Sequence, residues 1–203
     1  MSSPIQIISV LGGPGSGKGT QCTMLETQYE NVIHFSIGDL LRKEAADPDS
    51  PHRETIQENM CLGRVGPKEI TVAILRKNIE QAAAEGMRFL FLDGFPRKLD
   101  QAEYFEEQFG LLSLVLSFEC SDNILVQRLA QRGRNDDDTE TIKKRIDTYH
   151  KVTSEVLDLY EKKAKVVKIN ANTGVDTVFA EIQKVLEQSS IQLCCSNNIV
   201  EKV

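Results

Sequence analysis

Tryptophan is missing from the 203 residues and aromatic side chains make up only 6% of them. Any core must therefore be built mainly from aliphatic groups, and a hydrophobic share of 40% is enough for one. Positive charge is also scarce: 24 Lys and Arg stand against 30 Asp and Glu, a formal net charge of −6. A protein that coats nucleic acid or an anionic membrane carries the opposite balance. An anionic ligand must then be met by a local cluster of cations, not by the global field. No segment approaches the ~18–20 consecutive apolar residues that span a bilayer. The start, Met1-Ser2-Ser3-Pro4, lacks the basic and apolar regions of a signal peptide. Five cysteines without any C-x-x-C spacing argue against a disulfide framework or a zinc site. His34, His52 and His150 are too scattered to suggest ligand clustering. The expectation is a protein with reduced thiols and a cytoplasmic or nuclear address, with neither nucleic acid nor membrane as partner.

The length suits one α/β domain carrying small movable inserts. Short runs apolar on both faces, at residues 5–11, 32–35, 89–92, 111–118 and 166–169, read as strands inside a parallel sheet covered by helices. Between them lie helical patterns at 20–29, 38–46, 68–85, 99–109, 123–131, 139–163 and 175–188. This alternation predicts a doubly wound α/β fold with a five-stranded parallel sheet. Between the second and third strands come over fifty residues, broken by Asp47-Pro48-Asp49-Ser50-Pro51 and again at residues 63–67. That is too much for one crossover, so an inserted helical subdomain is expected. The polar tract Arg132-Gly133-Arg134-Asn135-Asp136-Asp137-Asp138 reads as a short turn between helices. Beyond Gln188 the periodicity fades, and residues 189–203 are expected to form a mobile tail on a domain of residues 1–188.

The most specific signal is Gly12-Gly13-Pro14-Gly15-Ser16-Gly17-Lys18-Gly19-Thr20. It follows a predicted strand, precedes a predicted helix, and satisfies the G-x-x-x-x-G-K part of the P-loop pattern. Glycines let the backbone wrap a triphosphate so that successive N–H groups point at its oxygens. The helix start adds partial positive charge, and Lys18 a full one. A merely flexible turn would require five glycines and a proline in eight positions by chance. A dinucleotide turn fails because no glycine triplet here has G-x-G-x-x-G spacing. Where the generic pattern has Ser or Thr after the lysine, this chain has Gly19, with the hydroxyl displaced to Thr20.

A phosphate loop indicates a nucleotide but not a reaction. The strand at residues 89–92 ends in Asp93, at the sheet edge where such folds bind ligands, and an acid there suits Mg²⁺. Gly94-Phe95-Pro96-Arg97 follows at once, a tight turn aiming an arginine into the same crevice. Ser36-Ile37-Gly38-Asp39-Leu40-Leu41-Arg42 offers another one turn into a helix. With GGPGSGKGTQ at 12–21, GDLLR at 38–42, DGFPR at 93–97 and RIDTY at 145–149, the chain resembles the nucleoside monophosphate kinases, adenylate and UMP-CMP kinases, over residues 5–188.

That resemblance implies a P-loop NTPase fold that takes ATP with Mg²⁺ and a nucleoside monophosphate acceptor, as a monomer. It further implies an acceptor-binding insert at about 36–65 and a short lid at about 132–138. ATP would be held by Gly15, Ser16, Gly17, Lys18, Gly19, Thr20, Arg128 and Arg132. The acceptor would be held by Ile37, Arg42, Gly94, Phe95, Pro96, Arg97, Gln101, Arg134 and Arg145. Lys18, Asp93, Arg132, Arg134 and Arg145 would serve the transfer, with Mg²⁺ bound through water near Thr20 and Asp93 and no direct protein ligand. Forked, permanently charged donors suit a phosphoryl group passing between two anions. Arg53, Arg64, Arg76 and Arg88 lie outside the motifs and read as surface charges, and Asp136 and Asp137 match the family's lid acids.

Three departures stand out. The lid is about four residues shorter than the short-lid pattern R-G-x-x-S-G-R-x-D-D, and Thr153-Ser154-Glu155 lacks the proline of T-x-P. Ser36-Ile37-Gly38 matches neither the Ser-Thr-Gly of adenylate kinases nor the Ser-Ala-Gly of UMP-CMP kinases. Ile37 cannot donate a hydrogen bond, and Glu69-Ile70-Thr71 resembles UMP-CMP kinases. Gln101, by contrast, is the amide typical with adenine, although DGFPRKLDQ also resembles fungal uridylate kinases. The residues favour UMP and CMP over AMP and leave both open. A catalytically weak nucleotide-binding protein is the reading from another class. A regulatory GTPase lacks support, since no N-K-x-D motif is present.

Overall fold

A computed structural model describes residues 5–132, 139–189 and 191–195. In chain order it contains β1 (Gln6–Gly12), α1 (Lys18–Gln28), β2 (Tyr29–Glu30), β3 (Val32–Ser36), α2 (Ile37–Ala46), α3 (Arg53–Cys61) and α4 (Lys68–Ala84). There follow β4 (Phe89–Asp93), α5 (Leu99–Phe109), β5 (Leu114–Glu119), α6 (Asp122–Arg132) and α7 (Thr139–Thr148). A π turn (Tyr149–Thr153) leads to α8 (Ser154–Lys162), β6 (Val166–Asn170), α9 (Val175–Gln188) and β7 (Cys194–Cys195).

Five strands form a parallel sheet in the order β3-β4-β1-β5-β6. The chain runs from β1 to one edge and then crosses to the other, so the crevice beyond the carboxyl end of β1 is where this topology binds ligands. Side chains alternate across the sheet as strand geometry requires. Ile8, Val10, Phe91, Leu116 and Phe118 face a layer built on Cys22 and Leu25 of α1 and on Phe179 and Ile182 of α9. Ile7, Leu11, Leu90, Leu92 and Val115 face the opposite layer, where Leu75 of α4, Phe105 of α5 and Tyr160 of α8 are fully buried. Burial on both faces is why these strands read as apolar runs instead of alternating ones. A third, smaller cluster joins α6 to α7 through Leu125, Leu129, Ile142 and Ile146.

The expected doubly wound, five-stranded parallel fold is observed. Four boundaries differ. The strand expected at 111–118 begins at Leu114, because Leu111 is 65% exposed and Ser113 is the residue whose N–H reaches the Ile7 carbonyl. The helix expected at 139–163 is divided by the π turn into α7 and α8. Arg132, the first residue of the turn expected at 132–138, belongs to α6 instead; the rest of that tract, with Arg134, Asp136 and Asp137, lies outside the described residues. Finally, the chain does not leave the core after Gln188. Ile191 is buried, Leu193 packs against the same layer, and β7 pairs antiparallel with β2.

Candidate active site

The phosphate loop is wedged between β5 and α6. At Gly12 (φ +151°) a Cβ would lie 2.8 Å from both the Cβ and the carbonyl oxygen of Phe118, so the loop leaves β1 in contact with the neighbouring strand's backbone. Gly15 (φ +85°) similarly rests on Leu129 and on the Leu125 carbonyl. Helix α1 starts at Lys18 behind Gly17, with no side chain capping its first turn. Its leading N–H groups are thus presented to the cleft, where an anion can satisfy them. The Lys18 ammonium donates to the carbonyls of Gly12 (2.9 Å) and Gly13 (2.8 Å) and contacts the Ser16 hydroxyl at 3.4 Å. Burial is the main reason its pKa is lowered to about 8; Arg97 and Arg145 push the same way and Asp93 opposes them.

Asp93 ends β4, in register with Val10 and Ser36. Its carboxylate crosses to the loop: a Cβ on residue 19 would lie 3.2 Å from Oδ2. This explains why glycine replaces the usual Ser or Thr at that position, since a side chain there would start against the acid. Gly94 (φ +75°) makes room for Arg97, whose Nη2 would be 2.9 Å from a Cβ at 94 and whose Nε donates to the Gly94 carbonyl at 2.7 Å. The Arg97 N–H donates to Gln101 Oε1 at 3.0 Å, and Gln101 Nε2 donates to the Gly66 carbonyl at 3.3 Å. Gln101 is only 2% exposed, so its amide orientation is set by these two partners. Burial, and then Arg145, lower the Arg97 pKa, against the opposing pull of Asp93. One carboxylate thus faces several mutually repelling cations, an arrangement that an anionic ligand relieves.

Along the α2 wall of the cleft, Ser36 caps α2 by accepting from the Asp39 N–H at 3.3 Å. Ile37 is 2% exposed, and Arg42 is ion-paired with Asp39. From the other side, Arg128 of α6 donates to the carbonyls of Ala171 (3.0 Å) and Thr173 (3.4 Å). These groups surround a cleft of about 630 Å³, in the size range of small-molecule sites. Its wall includes every predicted residue from Gly15 through Thr20, together with Ile37, Arg42, Asp93, Gly94, Phe95, Arg97, Gln101, Arg128, Arg132 and Arg145.

Phe95 offers mainly backbone to that wall. Its ring is 1% exposed and packs edge-on against Phe105, 5.1 Å between centroids. Pro96 is not part of the wall. Arg64, read from the sequence as a surface charge, does line the cleft; Arg76, by contrast, pairs with Glu80 and stacks over Phe109 at the surface. The sequence reading missed Ala171, Thr173, Gly174 and Val175, which line the end of the cleft opposite α2, where Gln21 Nε2 donates to the Val175 carbonyl at 2.9 Å. The available signal was a polar Asn-Ala-Asn-Thr-Gly run at the carboxyl end of the edge strand β6, on the ligand-binding side of the sheet.

Comparison with known proteins agrees with this geometry. The adenylate kinase family profile matches residues 10–165. The uridylate kinase of Saccharomyces cerevisiae is 39% identical over 189 residues, covering 91% of this chain and 92% of that protein. The UMP-CMP kinase of Bos taurus is 40% identical over 193 residues and that of Xenopus tropicalis 41% over 191, each covering 90% of this chain and 97% of the relative. With its phosphate loop, its parallel sheet and a match over most of its length, the chain belongs to the adenylate kinase family.

Proposed function

We propose that the chain transfers the γ-phosphoryl group of ATP to UMP or CMP, giving ADP and UDP or CDP. The observation that carries the transfer is the convergence of Lys18, Arg97 and Arg145 with Asp93 beyond the ends of the central strands, in one cleft. Such transfer asks the protein for alignment and charge stabilisation and for little covalent chemistry. Lys18 and the first turn of α1 hold the ATP phosphates, while Arg128 and Arg132 approach from α6. Arg42 and Arg97 hold the acceptor phosphate, and Arg145 stands between the two nucleotides. Residues 36–65 act as the acceptor-binding insert. Arg134 belongs to a short lid at 132–138 whose closure keeps water from taking the phosphoryl group.

The residues fit a Mg²⁺ ion reached mainly through water and phosphate. Among the described residues no three His, Cys, Asp or Glu gather into a ligand set. The Asp93 carboxylate nevertheless faces the loop, and Thr20 is exposed on the same wall. Asp93 and Thr20 would hold its waters, and the ion would neutralise charge on the β- and γ-phosphate oxygens.

The pyrimidine acceptor is supported by the names of the relatives at 39–41% identity and by Ile37, whose buried aliphatic side chain offers no hydrogen bond where an adenine-selective site could use one. A second reading, AMP as acceptor, is favoured by Gln101, which keeps one amide hydrogen and one lone pair beyond its two internal bonds. Incubation with Mg²⁺-ATP and UMP, CMP or AMP in separate reactions, with the diphosphates quantified, decides between them. Faster UDP and CDP formation supports the proposal, and faster ADP gain from AMP makes the chain an adenylate kinase. ATP binding without product from any acceptor would defeat the kinase reading.

A further inference from the structure

We propose that the π turn between α7 and α8 is a positioning device for Arg145 and Arg97, worked by the hydroxyls of Thr148 and Thr153; this rests on the kinase reading above. Thr148 is the last residue of α7, three after Arg145. A threonine in a helix commonly bonds back to its own preceding turn. Thr148 instead donates across the molecule to the Gly63 carbonyl, at 2.9 Å and 85 residues away. Gly63 lies just beyond the end of α3, with φ +63°, at the far end of the acceptor insert. A Cβ there would lie 3.0 Å from Lys144 Cβ and 3.5 Å from Arg145 Cγ. The insert therefore presses on α7 at the point where the arginine stem leaves the helix, and the Thr148 bond fastens that contact.

Thr153, 5% exposed, ends the π turn and donates to the Arg97 carbonyl at 3.4 Å. At 100° per residue, positions five apart in an α-helix point about 140° away from each other. Bonding from i to i+5, as in the Ser154 N–H to Tyr149 carbonyl bond, brings such positions onto nearly one face. The change in winding is what lets both hydroxyls address the acceptor half at once. On the outer side His150 Nε2 lies 2.9 Å from Asp122 Oδ1, linking the turn to the start of α6. The need for such fastening is electrostatic. Arg97 and Arg145 repel each other, and a long cationic side chain is useful in transfer only where its base is fixed. Both threonines line the cleft, but their hydroxyl hydrogens are committed to the Gly63 and Arg97 carbonyls, so they act through the arginines.

The test uses the full chain and the acceptor that the wild type phosphorylates fastest, titrating ATP and acceptor separately and recording a thermal midpoint for each variant. Thr148→Val should lower kcat/KM for the acceptor about fivefold, the usual worth of one net hydrogen bond, with the KM for ATP unchanged within twofold. Thr148→Ser should restore it. Thr153→Val should do less, in line with its longer bond. Gly63→Ala, which pushes on the same contact from the insert side, should reproduce the acceptor-selective loss, and it serves as the independent variant if Thr148→Val fails to fold. Unchanged kinetics, even with a lower thermal midpoint, would overturn the proposal, as would an equal loss for both substrates or identical behaviour of the Val and Ser variants. A wild type without turnover on any acceptor counts against the kinase reading instead. The inference is then judged by calorimetry, where Thr148→Val must still weaken monophosphate binding by a similar factor.

Discussion

Lys18 and Arg97 show how a binding site works against the stability of its own fold. Lys18 is held by two loop carbonyls, yet burial and two arginines bring its pKa down to about 8. Its ordinary value is 10.5, so between about pH 8 and 10.5 the unfolded chain binds more protons than the folded one, and stability rises with pH. Unfolding by denaturant at pH 7.5, 9 and 10.5 should show the wild type gaining on Lys18→Met by an amount on the order of 2 kcal/mol. A constant gap would mean that Lys18 is not held in this environment. The same substitution should lower kcat at least about a hundredfold, the scale of losing a donor aimed at developing charge. At Arg97, replacement by Lys should not rescue function. A lysine cannot keep the Nε bond to Gly94 while presenting a fork to a phosphate. Arg97→Lys should lose tenfold or more in acceptor kcat/KM, measured with ATP saturating.

At the scale of the element, the phosphate loop is shaped from outside as well as from within. Gly15 combines a positive φ with a Cβ position 2.9 Å from Leu129 Cγ and 3.0 Å from the Leu125 carbonyl. Gly13 has no positive φ, and its close neighbour is a terminal methyl of Leu125. Gly15→Ala should therefore cost about 1–3 kcal/mol and Gly13→Ala the lesser amount, compared by chemical denaturation. Equal costs would show that α6 can move away from the loop. The central strands β1, β4 and β5 were legible because two-sided burial writes itself as apolar runs, and α1 because the glycines and Lys18 announce where it starts. The π turn was not legible. A one-residue change of winding leaves the apolar spacing of α7 and α8 almost intact, and what favours it lies in Gly63 and Arg97, distant in sequence.

For the whole molecule, the C-terminal segment is part of the fold. Ile191 is buried against the layer formed by α1 and α9, and β7 pairs with β2 directly after α1. Ile191→Ala should cost about 2 kcal/mol or more in denaturant unfolding, as deletion of a buried aliphatic side chain does. Stability equal to the wild type would show that residues 191–195 add nothing. The segment escaped the sequence reading because Ile191 and Leu193 are too few to form a periodic pattern, and they become core only where α1 and α9 already offer an apolar surface.

By itself the sequence determined the strand–helix alternation, the phosphate loop and the three arginine-bearing motifs, because local backbone demands and two-sided burial are encoded in short stretches. It left the acceptor base open, since Ile37 and Gln101 point in different directions. Only the tertiary structure decided which side chains share a cleft. It brought Arg64, Ala171, Thr173, Gly174 and Val175 into the wall and turned the Phe95 ring into the core. It also set Gly63 beneath Arg145. Those outcomes depend on contacts between segments tens of residues apart, where distance in space, and not pattern along the chain, sets the energy.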